Sequence, residues 1–109
     1  MANIYRNAKV DFTNTDNTTV YTVPSNSRAI LKNILVSDDS GSGDSITATL
    51  TDASAAVFSL FKTKAIASNA TTELITQPIV LQESEILKAQ ATTAGRLHMV
   101  VSLLEINRD

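Results

Sequence analysis

The sequence has no cysteine, no tryptophan and a single histidine, and aromatic residues make up 5% of its 109 positions. Without cysteine, disulfides and thiolate metal sites are excluded, so the fold must hold by packing alone. One histidine cannot build a catalytic zinc site of the usual kinds. A nucleophilic triad needs a nucleophile, a base and an orienting group within hydrogen-bond reach. His98 has Arg96 and Val100 at strand spacing, and neither is a carboxylate. Ser42, in Ser40-Gly41-Ser42-Gly43-Asp44, lacks the strand, elbow and helix context of a hydrolase nucleophile. The sequence therefore predicts no catalytic, cofactor-binding or metal-ligating residue, and a protein that is not an enzyme.

A strong excess of either charge is absent too. Charged residues are 18% of the chain, the net charge is −2, and Lys and Arg are scattered rather than clustered. Nucleic-acid binding needs a basic stripe, so that partner is excluded. No apolar run approaches the length of a membrane span, which excludes a membrane partner. Met1-Ala2-Asn3-Ile4-Tyr5-Arg6-Asn7 carries no apolar signal segment, so synthesis in a cytoplasm and solubility there are expected. Small sugar-binding sandwiches rely on exposed aromatic platforms. Here Tyr5 and Tyr21 are the only candidates for that role, and Phe12, Phe58 and Phe61 read as packing residues.

What the chain does have is Thr, Ser, Val and Ile, broken by turn clusters at short intervals. That spacing is the mark of an all-β sandwich or barrel. Strands are expected over 4–12, 19–23, 28–36, 46–51, 57–64, 71–76, 79–81, 86–92 and 96–106. Residues 37–45 form a loop, Asp52-Ala53-Ser54-Ala55 a hairpin connection, and the tail Asn107-Arg108-Asp109 is expected to fray. Residues 53–64 also fit a helical stripe through Ala53, Ala56, Val57, Leu60, Phe61 and Lys64, but β-branched and aromatic content favours strand. With no linker or repeat, residues 1–109 read as one domain. The fold class is all-β, a single antiparallel β-sandwich of jelly-roll type with about eight strands.

Two strands break the alternation of a sheet with one wet face. In Leu97 to Ile106, the odd positions Leu97, Met99, Val101 and Leu103 form an uninterrupted apolar set and are assigned to the core. The even set of Val100, Leu104 and Ile106, with His98 and Ser102, then faces outward. In Ala29 to Val36, the β-branched Ile30, Ile34 and Val36 favour the core, which leaves Leu31 and Leu35 outward. The candidate interface is thus Leu31, Leu35, Val100, Leu104 and Ile106. Burying each would contribute about 1.5–3 kcal/mol before the costs of association. A loop or short helix over the outer face is the competing explanation.

The loop acids Asp38, Asp39 and Asp44 raise a calcium site, since hard cations take several oxygen ligands. Gly41 comes too early for the helix-flanked calcium loop and no Glu closes the set, so a solvated connection is the better reading. Glu83 and Glu85 share a strand face, but a corner offers no cleft for paired-acid chemistry and reads as a charged turn.

Val20-Tyr21-Thr22-Val23-Pro24, a turn, and Ala29 to Val36 resemble small virion structural proteins of tailed bacteriophages. The second half adds Ile79-Val80-Leu81-Gln82-Glu83-Ser84-Glu85-Ile86-Leu87-Lys88-Ala89-Gln90-Ala91, then Gly95, then Val100-Val101-Ser102-Leu103-Leu104-Glu105-Ile106. The resemblance spans Val20 to Ile106 and departs at Glu85-Ile86, where relatives place Asp followed by a small or polar residue. It implies a virion part without catalysis, made in the host cytoplasm, that attaches to a capsid, neck or tail and self-associates as a ring or trimer. Within that family, a capsid decoration or cement protein bound to the major capsid protein or another virion protein is the first expectation. A neck, tail or fibre-base adaptor is the second, and a carbohydrate- or receptor-binding module stands apart as the third.

Overall fold

In a computed structural model describing residues 2–75 and 77–108, the chain forms nine strands and, among those residues, no helix. They are β1 (Ala2–Asp11), β2 (Thr18–Thr22), β3 (Ser27–Asp38), β4 (Asp44–Thr51) and β5 (Val57–Ile66). β6 (Thr71–Glu73), β7 (Ile79–Leu81), β8 (Ile86–Ala91) and β9 (Leu97–Asn107) complete the set. All pairings are antiparallel. One sheet runs β1-β9-β3, with β6 and β7 both on the far edge of β3; the other runs β2-β8-β4-β5. The fold is an all-β sandwich, and residues 57–66 are strand rather than helix. The expected strand over 71–76 ends at Glu73, and Thr76 lies outside the described residues.

The core lies between the sheets. It takes Leu97, Met99, Val101 and Leu103 from β9, Ile46 and Ala48 from β4, and Leu87, Ala89 and Ala91 from β8. The odd set of β9 is therefore the inner one, at 1% exposure or less.

The faces of β3 do not follow one parity. Leu31 pairs with Leu103 and Asn33 with Ser102, so Lys32 is an extra residue in a bulge. A bulge shifts the alternation by one residue. Residues 27, 29 and 31 are buried before it, and 34, 36 and 38 after it. Leu31 is accordingly fully buried in the core rather than outward, and Ile30 takes the outward position instead. Leu35, beyond the bulge, remains outward and half-buried.

Short polar side chains set the turns. Asn14 Oδ1 accepts the Asp16 N–H at 3.0 Å after β1. In the β4–β5 hairpin, Asp52 Oδ1 accepts the N–H groups of Ser54 and Ala56 at 2.9 and 3.0 Å. Glu85 accepts the Gln82 N–H at 2.7 Å, and Glu83 accepts the Asn26 N–H at 2.8 Å while pairing with Arg108 at 3.0 Å. The charged corner is thus a clamp. It also corrects the frayed tail for two of its three residues: the Arg108 N–H donates to the Asn26 carbonyl at 2.8 Å and Asn107 belongs to β9, while Asp109 lies outside the described residues.

The acidic loop is a clamp of a similar kind. The buried Asp38 carboxylate accepts the hydroxyl and N–H of Ser40 and the N–H of Gly43. The Ser40 hydroxyl first, then backbone donors, hold its carboxyl below the usual range despite burial. That contribution is present at neutral pH and fades as pH falls below the ordinary carboxylate range. Asp44 accepts the Thr93 N–H at 2.8 Å, and Asp39 turns toward His98. The three acids thus serve three separate contacts, and among the described residues no cluster gathers that could hold a metal ion.

Gly43 sits at φ +71°, where an added Cβ would lie 3.2 Å from the Ile66 carbonyl oxygen. Gly95 has φ +76° and open space around it. Gly43→Ala is expected to cost more than about 1 kcal/mol, since it adds a clash to the left-handed strain. Gly95→Ala, with strain alone, should cost less. Urea midpoints at unchanged slope measure both.

Candidate functional site

The two sheets differ on their outward faces. On the β2-β8-β4-β5 sheet, one cross-strand row is Thr19, Lys88, Thr49 and Ser59, and Gln90 pairs with Thr47 in the next. That surface is polar, apart from a row through Ile86 and Val57 at one end.

On the other sheet, register places Tyr5 beside Leu104, Leu104 beside Ile30, and Ile30 beside Val80. Four strands thus contribute one continuous apolar row. Nothing among the described residues covers it: Tyr5 is 76% exposed and Val80 58%. Residues directly opposite on an antiparallel pair lie within side-chain contact, so the row is a single strip. The row two steps along is Lys9, Val100, Leu35 and Glu73, apolar in the middle and oppositely charged at its ends. Between them Asn7, Ser102 and Asn33 make a polar row, where Tyr5, Asn7, Lys32 and Ser102 line a shallow depression of about 360 Å³. At one end Ile106 stands between Asn3 and Arg28; at the other His98 stands between Asp11 and Ser37.

Of the residues singled out from sequence, Leu35, Val100, Leu104 and Ile106 share this face, and Leu31 does not. Sequence reasoning missed Tyr5, Ile30 and Val80 as members of the strip. Nothing in Ile79-Val80-Leu81 marks Val80, since all three are apolar and only the register shows which of them faces outward. The loop or helix invoked as a cover for this face is not there among the described residues, and Val100 is 39% exposed.

His98 is not isolated from carboxylates. Asp11 Oδ1 lies 3.2 Å from its Nε2 and Asp39 Oδ2 3.7 Å from its Nδ1. Asp11 is its cross-strand neighbour on β1, which a reading along β9 alone does not reveal. Both acids and the ring are well exposed. An exposed cluster of this kind ties β1, β9 and the loop together at modest energy.

The aromatic residues divide unexpectedly. Phe12 is buried and Phe61 packs on the core, but Phe58 is 55% exposed at the start of edge strand β5. Edge position explains this, because no further strand shields its side. Tyr21 donates its hydroxyl to Glu105 Oε2 at 2.6 Å, and Arg6 Nε lies 3.2 Å from the same oxygen. Desolvation first, then the Glu105 hydrogen bond and charge, push the Tyr21 phenol far above its ordinary range. Tyr21 therefore joins the two sheets and is not free to bind a sugar.

No family model and no curated protein sequence matches this chain. Among solved structures, a chain from the acidic stable capsid of Helicobacter pylori bacteriophage KHP30 is similar to it at 11% identity and TM-score 0.58. The match covers 100% of this chain and 90% of that one. A chain from Bacillus endospore appendages, described as disulfide-linked pili, is similar at 11% identity and TM-score 0.58, covering 98% and 89%. A chain of the cyanophage Pam1 capsid asymmetric unit has 19% identity, covers 96% and 84%, and gives a TM-score of 0.48. At these identities the likeness is one of fold: this chain shares its sandwich with subunits of a phage capsid and of a spore appendage.

Proposed function

We propose that this chain is a structural protein of a bacteriophage virion, a capsid decoration or cement subunit that binds the shell and stabilises it. The observation that carries this reading is the uncovered apolar row of Tyr5, Leu104, Ile30 and Val80 on one sheet, beside a largely polar opposite sheet. Uncovered strips of this kind mark interaction surfaces. A β-sandwich with no catalytic grouping can contribute to a particle through area and geometry alone.

The strand order supports the jelly-roll form of that reading. With β6 and β7 counted as one interrupted strand, the sheets run β1-β9-β3-β6/β7 and β2-β8-β4-β5, so that every connection but β4–β5 crosses between the sheets. That is the arrangement of two interlocked Greek keys in eight strands, used in viral capsid domains. The likeness to the KHP30 capsid chain supports it through the fold. The likeness to the Bacillus appendage chain favours a filament subunit instead. Disulfide linkage of that kind is closed to a sequence without cysteine, so the virion reading is preferred.

Capsids assembled without this protein provide the test. Purified protein is expected to bind them to a fixed saturating number of copies and to raise the temperature at which they open. Absence of saturable uptake by capsids, necks and tails alike would overturn the proposal.

A further inference from the structure

We propose that the outer face of the β1-β9-β3 sheet pairs with the same face of a second copy, about a two-fold axis that runs parallel to the strands between β9 and β3. This rests on the reading of that face as a contact surface and names its occupant as a second copy, which leaves the shell to be met by the remaining surface of the dimer.

The argument starts from the register. Such an axis exchanges the two sides of the sheet and keeps each row at its own height. β1 then lies over the partner's far edge, and β9 over the partner's β3. In the apolar row, Tyr5 meets the second copy's Val80 position and Leu104 meets its Ile30 position. In the row of Lys9, Val100, Leu35 and Glu73, Val100 meets Leu35, and Lys9 meets Glu73. Isologous contacts repeat by symmetry, so every pairing occurs twice.

The charges choose this axis. Lys9 and Glu73 are both exposed, and among the described residues Lys9 has no carboxylate partner within its own subunit. Glu73 accepts only a neutral hydrogen bond, from Asn33 Nδ2 at 3.1 Å. Within one copy they stand at opposite sides of the sheet, three strand spacings or about 14 Å apart. A strand-parallel axis brings each against its opposite charge and sets no like charges together: Arg28 meets Ile106, and Asp11 meets Thr71. An in-plane axis across the strands would instead set Glu73 against Val80 and Lys9 against Tyr5, with no ion pair. Arrangements that match charge at the rim and apolar groups inside fix register as well as affinity.

Area is sufficient. β1, β9 and β3, of 10, 11 and 12 residues, with the three-residue β6 and β7 on the far edge, present about 600 Å² per subunit, about 1,200 Å² in the pair, which reaches the lower bound for specific interfaces. Sheets stacked face to face pack about 10 Å apart with strands nearly aligned, the geometry this axis produces.

Size-exclusion chromatography with light scattering over a concentration series, with charge-swap variants, tests the proposal. The native protein is expected to run at twice its subunit mass. Lys9→Glu and Glu73→Lys should each weaken the dimer at least tenfold, and the two together should restore it. Both positions are exposed, so folding is not at risk, and circular dichroism checks it. Because the chain has no cysteine, Lys9→Cys with Glu73→Cys adds a clean geometric probe. The two sites lie about 14 Å apart within one copy and about 10 Å apart across facing sheets, too far for a direct disulfide in either case, so a bis-maleimide reagent with a reach of about 8 Å should give a covalent dimer only in the proposed face-to-face pairing. A monomer at every concentration overturns the inference, as does a dimer indifferent to the swaps or one that fails to cross-link. Capsid binding separates the two readings. A monomer that saturates capsids, and loses that binding in Leu104→Asp, shows the face meeting the shell and leaves the virion role standing. A dimer formed as described with no uptake by any virion part leaves the pairing standing and removes that role.

Discussion

Leu103→Asp is expected to leave no folded protein, while its neighbour Leu104→Asp keeps a native circular dichroism spectrum. The two residues are adjacent on β9 and chemically identical, so the contrast isolates environment. Leu103 is 1% exposed inside the sandwich and pairs with Leu31, itself fully buried. Replacing it removes about 2–5 kcal/mol of packing and leaves a carboxylate without partners in an apolar site, which adds several kcal/mol more. A domain of this size has only about 5–15 kcal/mol of stability, so the sum exhausts it. Leu104 stands half-buried on the outer face between Tyr5 and Ile30, where an aspartate stays hydrated. Its effect should fall on association, read by light scattering, with a thermal midpoint within a few degrees of native. Equal unfolding of both variants would mean that the faces of β9 are misassigned.

That contrast rests on a face assignment made from β9 alone, and β9 explains why it was readable. Its odd positions are apolar without interruption from Leu97 to Leu103, its pairing with β1 runs without a bulge, and so period-two reasoning holds along it. β3 carries the same composition but hides the extra residue Lys32, and the parity changes in mid-strand. β-branching drew Ile30, Ile34 and Val36 to one side; the bulge splits them, turning Ile30 outward and Leu31 inward. A bulge is a property of two strands together, and propensity along one strand carries no mark of it. The same limit hid the partners of His98 and the composition of the apolar strip, since Tyr5, Leu104, Ile30 and Val80 are scattered along the chain and meet only through register. Turn chemistry was local and therefore legible. Asp52 caps its hairpin and Glu83 and Glu85 hold their corner, as short polar side chains near a reversal should.

Glu105→Ala is expected to cost about 2–3 kcal/mol, more than most single contacts in a chain of this size, because it strips acceptors from two partners at once. Glu105 is 5% exposed on the inner side of β9, an unusual place for a carboxylate. It is tolerated there because Tyr21 reaches it from β2 of the opposite sheet at 2.6 Å and Arg6 from β1 at 3.2 Å. The three side chains close the edge where β1 and β2 lie side by side: the Tyr21–Glu105 bond crosses between the sheets, and Arg6 steadies Glu105 from within its own sheet. Arg6 is half exposed and finds water once freed, which keeps the loss below that of a fully buried pair. Tyr21→Phe removes one charge-assisted bond and should cost about 1.5–3 kcal/mol. The double variant should cost less than the sum of the two, because both remove the same bond. The alkaline limb gives an independent reading. A phenol whose ionisation is raised in the folded state contributes stability that is complete below its unfolded value near 10 and is lost as pH climbs above it. Native protein should therefore lose stability above pH 10, and Tyr21→Phe should flatten that decline, as followed by urea midpoints between pH 8 and 11. A decline of the same steepness in both proteins would mean that Tyr21 ionises as freely folded as unfolded, and that Glu105 is held by Arg6 within its own sheet rather than by a bond between the sheets.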